Sequence, residues 1–285
     1  MSLNSTAALA AQQADAERKH QVFARDRDAL YRAFDQAQTS VDLTVAPDDE
    51  MRNTWDLTPA IYSYGGRSAL KVCTDALVSA RCAPPKRILD FPSGHGRALR
   101  WFRAAYPEAH IFAGDINGPG VEFCESRFGA TGFVSPVSFD ELDLPGELDL
   151  IWVGSLFTHL SEVRAKQLLH KLSASLAQGG LLLFTTHGRV YPRVIQGATP
   201  IIDAAIWDTI MRDYYRTGWG YADYPQYAHI QYGLSMTAPG WIFEQIHTRD
   251  DLQLVFFGER AWHGQHDVTA LQRRSIQAWY DPEFL

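Results

Sequence analysis

The stretch ILDFPSGHGRALRWF, residues 88–102, decides the fold. An apolar run ends at Asp90, a tight turn carries Gly94 and Gly96, and a helical segment opens near Gly96. Glycines carry no Cβ, so backbone amides at such a turn can come close to a ligand, and a nucleotide-like ligand is implied at the end of this strand. The dinucleotide fingerprint GxGxxG is not met, because its third glycine position holds Leu99, and no phosphate loop GxxxxGK(S/T) occurs.

Around that turn, short β-rich runs alternate with amphipathic segments: RILDF (87–91), HIFAGD (110–115), LDLIWVG (148–154) and GLLLFTTH (180–187). Helical candidates lie between them at Gly96–Ala105, Gly120–Phe128 and Ser161–Ala177. This rhythm predicts an α/β fold with a doubly wound, mostly parallel sheet, whose ligands sit at the C-terminal strand edge. DLQLVFFGE and HDVTALQRR read as two closing strands that finish the sheet as a hairpin.

Upstream, the first 46 residues contain neither Gly nor Pro and favour a long helix from about Thr6 to Gln38, with Val22, Phe23, Leu30 and Phe34 as its apolar side. Pro47, Pro59, Gly65 and Gly66 mark a loop, and a second helix is expected from about Arg67 to Ala80. Downstream, residues 191–243 hold 11 aromatics in 53 positions, 21% against 12% for the whole chain. The expected organisation is a helical cap over 1–83 and a catalytic domain over 84–285, interrupted by an aromatic-rich lid at about 189–245.

In that setting DFPSGHG, residues 90–96, resembles the DxGxGxG motif of class I S-adenosylmethionine-dependent methyltransferases, with Pro92 in place of the first glycine. FAGDIN supplies the acidic residue, Asp115, that this family carries at the end of its next strand. LDLIWVGSLFTHL resembles its fourth strand and following loop, and LAQGGLLLFTTH its helix-GG-strand approach to the fifth. The likeness covers about residues 84–188 and implies a seven-stranded Rossmann-like sheet with S-adenosylmethionine as cofactor. FGATGFVSP, YGLSMTAPGWI and WHGQHDV are similar, more loosely, to segments of glycan-pathway methyltransferases, which points to a small-molecule or glycan-like acceptor methylated at oxygen. Methylation of another metabolite at nitrogen or carbon, and a catalytically silent scaffold of the same fold, are the alternatives.

The resemblance implies that Asp90 lies near the cofactor's amino group and that Pro92, Ser93, Gly94 and Gly96 form the turn beside it. It further implies that Asp115 binds the ribose, that Ile116 and Asn117 border the adenosine, and that Ser135 and Pro136 reach the adenine. Gly154 and Ser155 would floor the sulfonium, and Tyr64 with Gly65 would cover the cofactor from a loop. Read without the resemblance, the alternative for Asp90 and Asp115 is a pair of helix-capping carboxylates. Pro92 has φ fixed near −65°, so the turn must differ locally from one that uses a positive φ there.

A hydroxyl acceptor must lose a proton, and His159 and His187 follow strands at the ligand edge, which makes them the catalytic candidates. Either could instead fix a loop by bonding backbone. Tyr191, Trp219, Tyr221 and Tyr224 are candidates to face the acceptor, with Tyr214 and Tyr215 packing inward. His263, His266 and Asp267 lack an evident fourth ligand, so no metal is expected, and loop bonding or a substrate contact accounts for them.

The formal charge of 26 − 33 = −7 gives no overall attraction for nucleic acid or anionic membrane. No run is long and apolar enough for a membrane span, and the start MSLNSTAALAAQQADAER lacks the features of a signal peptide. Three cysteines without metal spacing suit a reducing compartment, and a cytoplasmic location is the expectation.

Overall fold

The computed structural model describes residues 3–194 and 203–274. The chain begins with helix α1 (Leu3–Ser40), followed by a short α2 (Glu50–Thr54) and by α3 (Pro59–Ser79). The core then runs β1 (Arg87–Asp90), α4 (Leu99–Ala105), β2 (His110–Asp115), α5 (Gly118–Phe128), β3 (Thr131–Val134), β4 (Leu148–Val153), α6 (Glu162–Ser175) and β5 (Leu176–Thr186). Next come α7 (Tyr191–Val194), α8 (Ala204–Thr217), β6 (Trp219–Asp223), β7 (Gly233–Thr237) and α9 (Pro239–His247). The antiparallel pair β8 (Leu252–Trp262) and β9 (His266–Arg273) ends the described chain.

Seven strands form one sheet in the order β3-β2-β1-β4-β5-β9-β8. The first five are parallel and β9 runs antiparallel to β5, so the fold is the expected mostly parallel Rossmann-like sheet. Alternation along the strands divides two cores. Ile88, Leu150 and Leu181 pack with α1, α3 and α4, whereas Leu89, Ile151 and Leu182 pack with α6 and α9. The strand order reverses between β1 and β4, and their C-terminal ends open the crevice where a ligand sits in such sheets.

Helix α1 uses the side the sequence indicates, in part. Leu30 and Phe34 are buried and Ala37 continues the stripe, while Val22 stays in solvent and Phe23 lies under the Arg81 guanidinium. The second helix is longer than its sequence suggests. Thr58 caps it by accepting from Ile61 N–H, Pro59 fits its first turn, and the helix runs straight through Gly65 and Gly66. Those glycines do not break it, because they are where it is approached most closely: a Cβ on Gly66 would sit 2.0 Å from the Arg97 carbonyl oxygen. The helices of the core start within three residues of their expected positions, and Ser161 caps α6 as an N-cap serine should.

Between β5 and β8 the chain builds a separate small core of Ile210, Tyr214, Tyr224, Leu234 and Met236 under the β6–β7 hairpin. Tyr214 packs inward as anticipated. Tyr215 does not: its ring is 79% exposed, because it follows Tyr214 on α8 and so points away from that core.

Candidate active site

Asp90 ends β1 and is almost fully enclosed. The next peptide, Phe91-Pro92, is cis, and Ser93 N–H then reaches the Gly114 carbonyl at 2.9 Å. Gly94 and Gly96 have φ of +48° and +74°, the left-handed region that side chains avoid. They differ in surroundings. A Cβ on Gly96 would press on Phe128 at 2.8 Å, whereas one on Gly94 would meet nothing within 4 Å, so the outer surface of the turn is open there.

Asp115, at the end of β2, holds this turn in place. One carboxylate oxygen accepts from Gly94 N–H at 2.7 Å and the other from Asn117 N–H at 2.9 Å. The cap of α5 is Asn117, which accepts from Gly120 N–H at 3.1 Å. Asp115 is thus no helix cap, and with the amides of Gly94, Asn117 and Ile116 on it the carboxylate still has acceptor capacity for a ligand hydroxyl. Burial raises its carboxyl above the ordinary range, and the amides of Asn117 and Gly94 oppose that rise.

Asp90 is held differently. Burial pushes its carboxyl well above the usual range, with the Leu99 amide pulling the other way, Asp115 adding to the rise and Arg97 opposing it. Its Oδ1 is enclosed without a hydrogen-bond partner. An enclosed carboxylate oxygen lacking a donor, next to an open glycine turn, fits a ligand with a cationic amine and hydroxyl groups. S-adenosylmethionine has both, so the residues present suit that group. Ile116 and Val134 stand 53% and 61% exposed beside Asp115, and Ser135 N–H bonds the Asp115 carbonyl at 2.8 Å with Pro136 next to it.

Several neighbours of the turn escaped the sequence reading. Arg100, buried in α4, donates to the Gly96, His95 and Thr44 carbonyls at 2.9, 3.0 and 2.7 Å and ties the turn to the segment after α1. A cation four residues beyond the second glycine was its only signal. His95 is buried with its Nε2 3.6 Å from Asp48. Tyr64 and Gly65 are not in a loop but within α3. Tyr64 is 51% exposed and meets His263 edge-on, and the Gly65 carbonyl accepts from Trp262 Nε1 at 3.0 Å. Gly154 is closely covered, since a Cβ there would lie 2.8 Å from Trp152 Nε1 and 3.3 Å from Trp262. Ser155, at φ +61°, is pinned by its N–H to the Thr185 hydroxyl at 2.8 Å.

The other half of the site lies beyond β4 and β5. His159 donates through Nδ1 to the Gly233 carbonyl at 2.7 Å and stacks on Tyr232. His187 bonds the Ser235 carbonyl through Nδ1 at 3.1 Å, stacks on Tyr191 at 3.5 Å, and places Nε2 3.1 Å from Nε2 of His266. Strand β7 of the inserted hairpin thus docks on both histidines. Burial drives the His159 imidazole down to about 4, against the Gly233 carbonyl. His187 is lowered further by burial and by His266 and His159. All these rings are neutral near pH 7.

Among the aromatic candidates, Tyr191 and Tyr224 reach this imidazole group. Tyr221 is half-buried and bonds Asp223. Trp219 is not a facing residue: it is buried in the main core with its ring against Trp241, because the start of β6 is pressed on α9. No group of three His, Cys, Asp or Glu side chains arranged to hold a metal occurs among the described residues. No helix among them is long and apolar enough to cross a membrane.

Residues 88–180 match the family model described as methyltransferase domain. The chain carries a class I, Rossmann-like methyltransferase domain, and S-adenosylmethionine is the cofactor of such enzymes. Among solved structures it is similar to the plantazolicin methyltransferase BpumL in complex with a triazolic desmethylPZN analog and S-adenosylhomocysteine, at 12% identity and a TM-score of 0.55, covering 87% of this chain and 100% of that one. A second similar structure is the 1,6-didemethyltoxoflavin-N1-methyltransferase of Burkholderia thailandensis, at 16% identity and a TM-score of 0.46, covering 83% and 94%. At 12% identity the likeness to the first is one of fold. No curated protein matches the sequence.

Proposed function

We propose that this methyltransferase acts on the hydroxyl oxygen of an uncharged small-molecule or glycan-like acceptor, held under the lid at about 189–245 with the helical cap of 1–83 behind the cofactor turn. The observation that carries the reading is the ring cluster past β4 and β5, where His159 stacks on Tyr232 and meets Tyr224, and His187 stacks on Tyr191. Such rings stack on flat or sugar-like molecules while offering hydrogen bonds to hydroxyls.

The cofactor, when bound, supplies a methyl group on a positively charged sulfur. Asp90, the Gly94 turn and Asp115 would hold it, with Ile116, Asn117, Ser135 and Pro136 at its far end. Asp115 sets the turn by fixing the Gly94 amide, and Arg100 backs it through three carbonyls. The lid's role is to orient the acceptor and exclude water, the two contributions on which an in-line displacement depends. A bare imidazole nitrogen of this ring cluster takes up the hydroxyl proton.

The test is a panel of phenols, sugars and primary amines incubated with enzyme and S-adenosylmethionine, with released S-adenosylhomocysteine quantified. Turnover is expected with hydroxyl compounds. Turnover of amines alone would remove the O-methyl assignment, and no turnover together with no heat of binding for S-adenosylhomocysteine would favour a silent scaffold.

A further inference from the structure

The hairpin between β8 and β9 was read from sequence as closing the sheet, but it does more. Its loop, His263–Gln265, is only three residues, with His263 and Gly264 in the left-handed region, so Trp262 and His266 become a cross-strand pair with rings 5.0 Å apart. Trp262 lies under the Arg97 guanidinium of the cofactor turn and against Gly154. His266 is thereby placed between Arg97 of the glycine turn and the rings of His187 and Tyr191.

Hydrogen-bond direction fixes the protons of this pair. His187 Nδ1 faces a carbonyl and must carry hydrogen, so in the neutral ring its Nε2 is a bare acceptor. His266 therefore donates from Nε2, and its Nδ1 is left as a lone pair. That Nδ1 is enclosed and has no hydrogen-bond partner. An enclosed acceptor without a donor is destabilising in the free protein and is satisfied by a ligand that brings a donor. The comparable nitrogen of His263 is explained otherwise: its Nε2 lies against α3, 2.3 Å from where a Cβ on Gly65 would be.

We propose that His266 is a catalytic residue whose Nδ1 takes the hydroxyl proton of the acceptor, and that His187 is the positioning residue that fixes its tautomer by accepting from its Nε2. The assignment rests on the O-methyl reading above. The hydroxyl oxygen forms the new bond to the methyl carbon as the sulfur–carbon bond breaks with its electron pair remaining on sulfur. The hydroxyl proton moves to Nδ1 of His266, which becomes an imidazolium and releases the proton to solvent when product leaves.

The groups that bear on His266 are His187 from β5, His159 from the turn after β4, Arg97 from the cofactor turn, and His263 and Asp267 beside it on the hairpin. Burial, followed by His263, His159 and Arg97, drives its imidazole down to about 3, so the bare nitrogen is present throughout the neutral range.

The test is nitrogen NMR of histidine-labelled full-length enzyme saturated with S-adenosylhomocysteine, to which catechol is titrated. Expected are an unprotonated Nδ1 on His266 before addition and a shift of that resonance as catechol binds. In His187→Ala the tautomer of His266 becomes mixed. In His266→Gln, which keeps an N–H for His187 but no basic nitrogen, kcat on a hydroxyl acceptor falls about a hundredfold or more, while the affinity for S-adenosylhomocysteine stays within about twofold. A protonated Nδ1 at rest, a resonance unmoved by the highest soluble catechol concentration, or a response at His159 Nε2 in its place each overturns the assignment. Failure of the wild-type enzyme to bind S-adenosylhomocysteine would instead remove the methyltransferase reading beneath it.

Discussion

The two ends of the ligand edge are built on different principles. At β1 and β2 the binding surface is mostly backbone: a turn with two left-handed glycines, fixed by one carboxylate from the adjacent strand. At β4 and β5 it is side chains, with His159, His187, Tyr191 and His266 brought in by the strand ends, the lid and the closing hairpin. The first is compact in sequence and tolerates little change. The second is assembled from segments up to 107 residues apart, from His159 to His266, and can vary residue by residue. A fold that keeps one end fixed can alter acceptors at the other.

The largest expected effect probes the rigid end. Gly96→Val combines the left-handed φ with a clash on Phe128 and Cys124, and should cost about 3 kcal/mol of stability in urea denaturation. Gly94→Ala meets open space, so its stability loss should be about 1 kcal/mol. Equal losses would show that the two glycines are not held as described. Next comes Asp115→Ala, expected to weaken S-adenosylhomocysteine about a hundredfold by calorimetry, or roughly 2.7 kcal/mol, since it removes both a ligand acceptor and the anchor of the Gly94 amide. Unchanged affinity would take Asp115 out of the site.

The side-chain end should respond to pH. The folded His159 is depressed to about 4 from an ordinary value of 6.5, so its contribution to stability is complete above 6.5 and is lost as pH falls toward 4, where the unfolded ring binds a proton that the folded one refuses. Asp267, raised to about 6 by burial, works in the opposite direction: its contribution is complete below 3.8 and is lost as pH rises through 6. Between pH 7 and pH 5, His159→Gln should therefore lose about 2 kcal/mol less than the wild type. Identical losses in the two proteins would mean that His159 is not sequestered. The smallest effect is expected at Tyr215, which is 79% exposed. Tyr215→Ala should change stability by less than about 0.5 kcal/mol, whereas Tyr214→Ala, inside the lid core, should cost about 3 kcal/mol.

Much of the rigid end was legible because its signals are local. Strand periodicity, Asp90, the two glycines and the spacing to Asp115 all lie within 28 residues, and the backbone conformations they require are properties of the residues themselves. Gly65 and Gly66 misled for the same reason. Read locally they break a helix, while the packed molecule uses them to seat α3 against Arg97, Trp101 and His263. Trp219 misled too, because aromatic content marks the lid but does not say which rings its own core and α9 consume.

What the sequence determined by itself was the sheet, its order of elements and the glycine turn proposed to receive the cofactor, since hydrophobic alternation and glycine placement act over short distances. Only the tertiary structure decided that His266 meets His187 and that Trp262 closes over Gly154. Those contacts depend on the register of β9 against β5 and on a three-residue hairpin loop, and a register set by packing across the sheet leaves no mark in the spacing of the residues it joins.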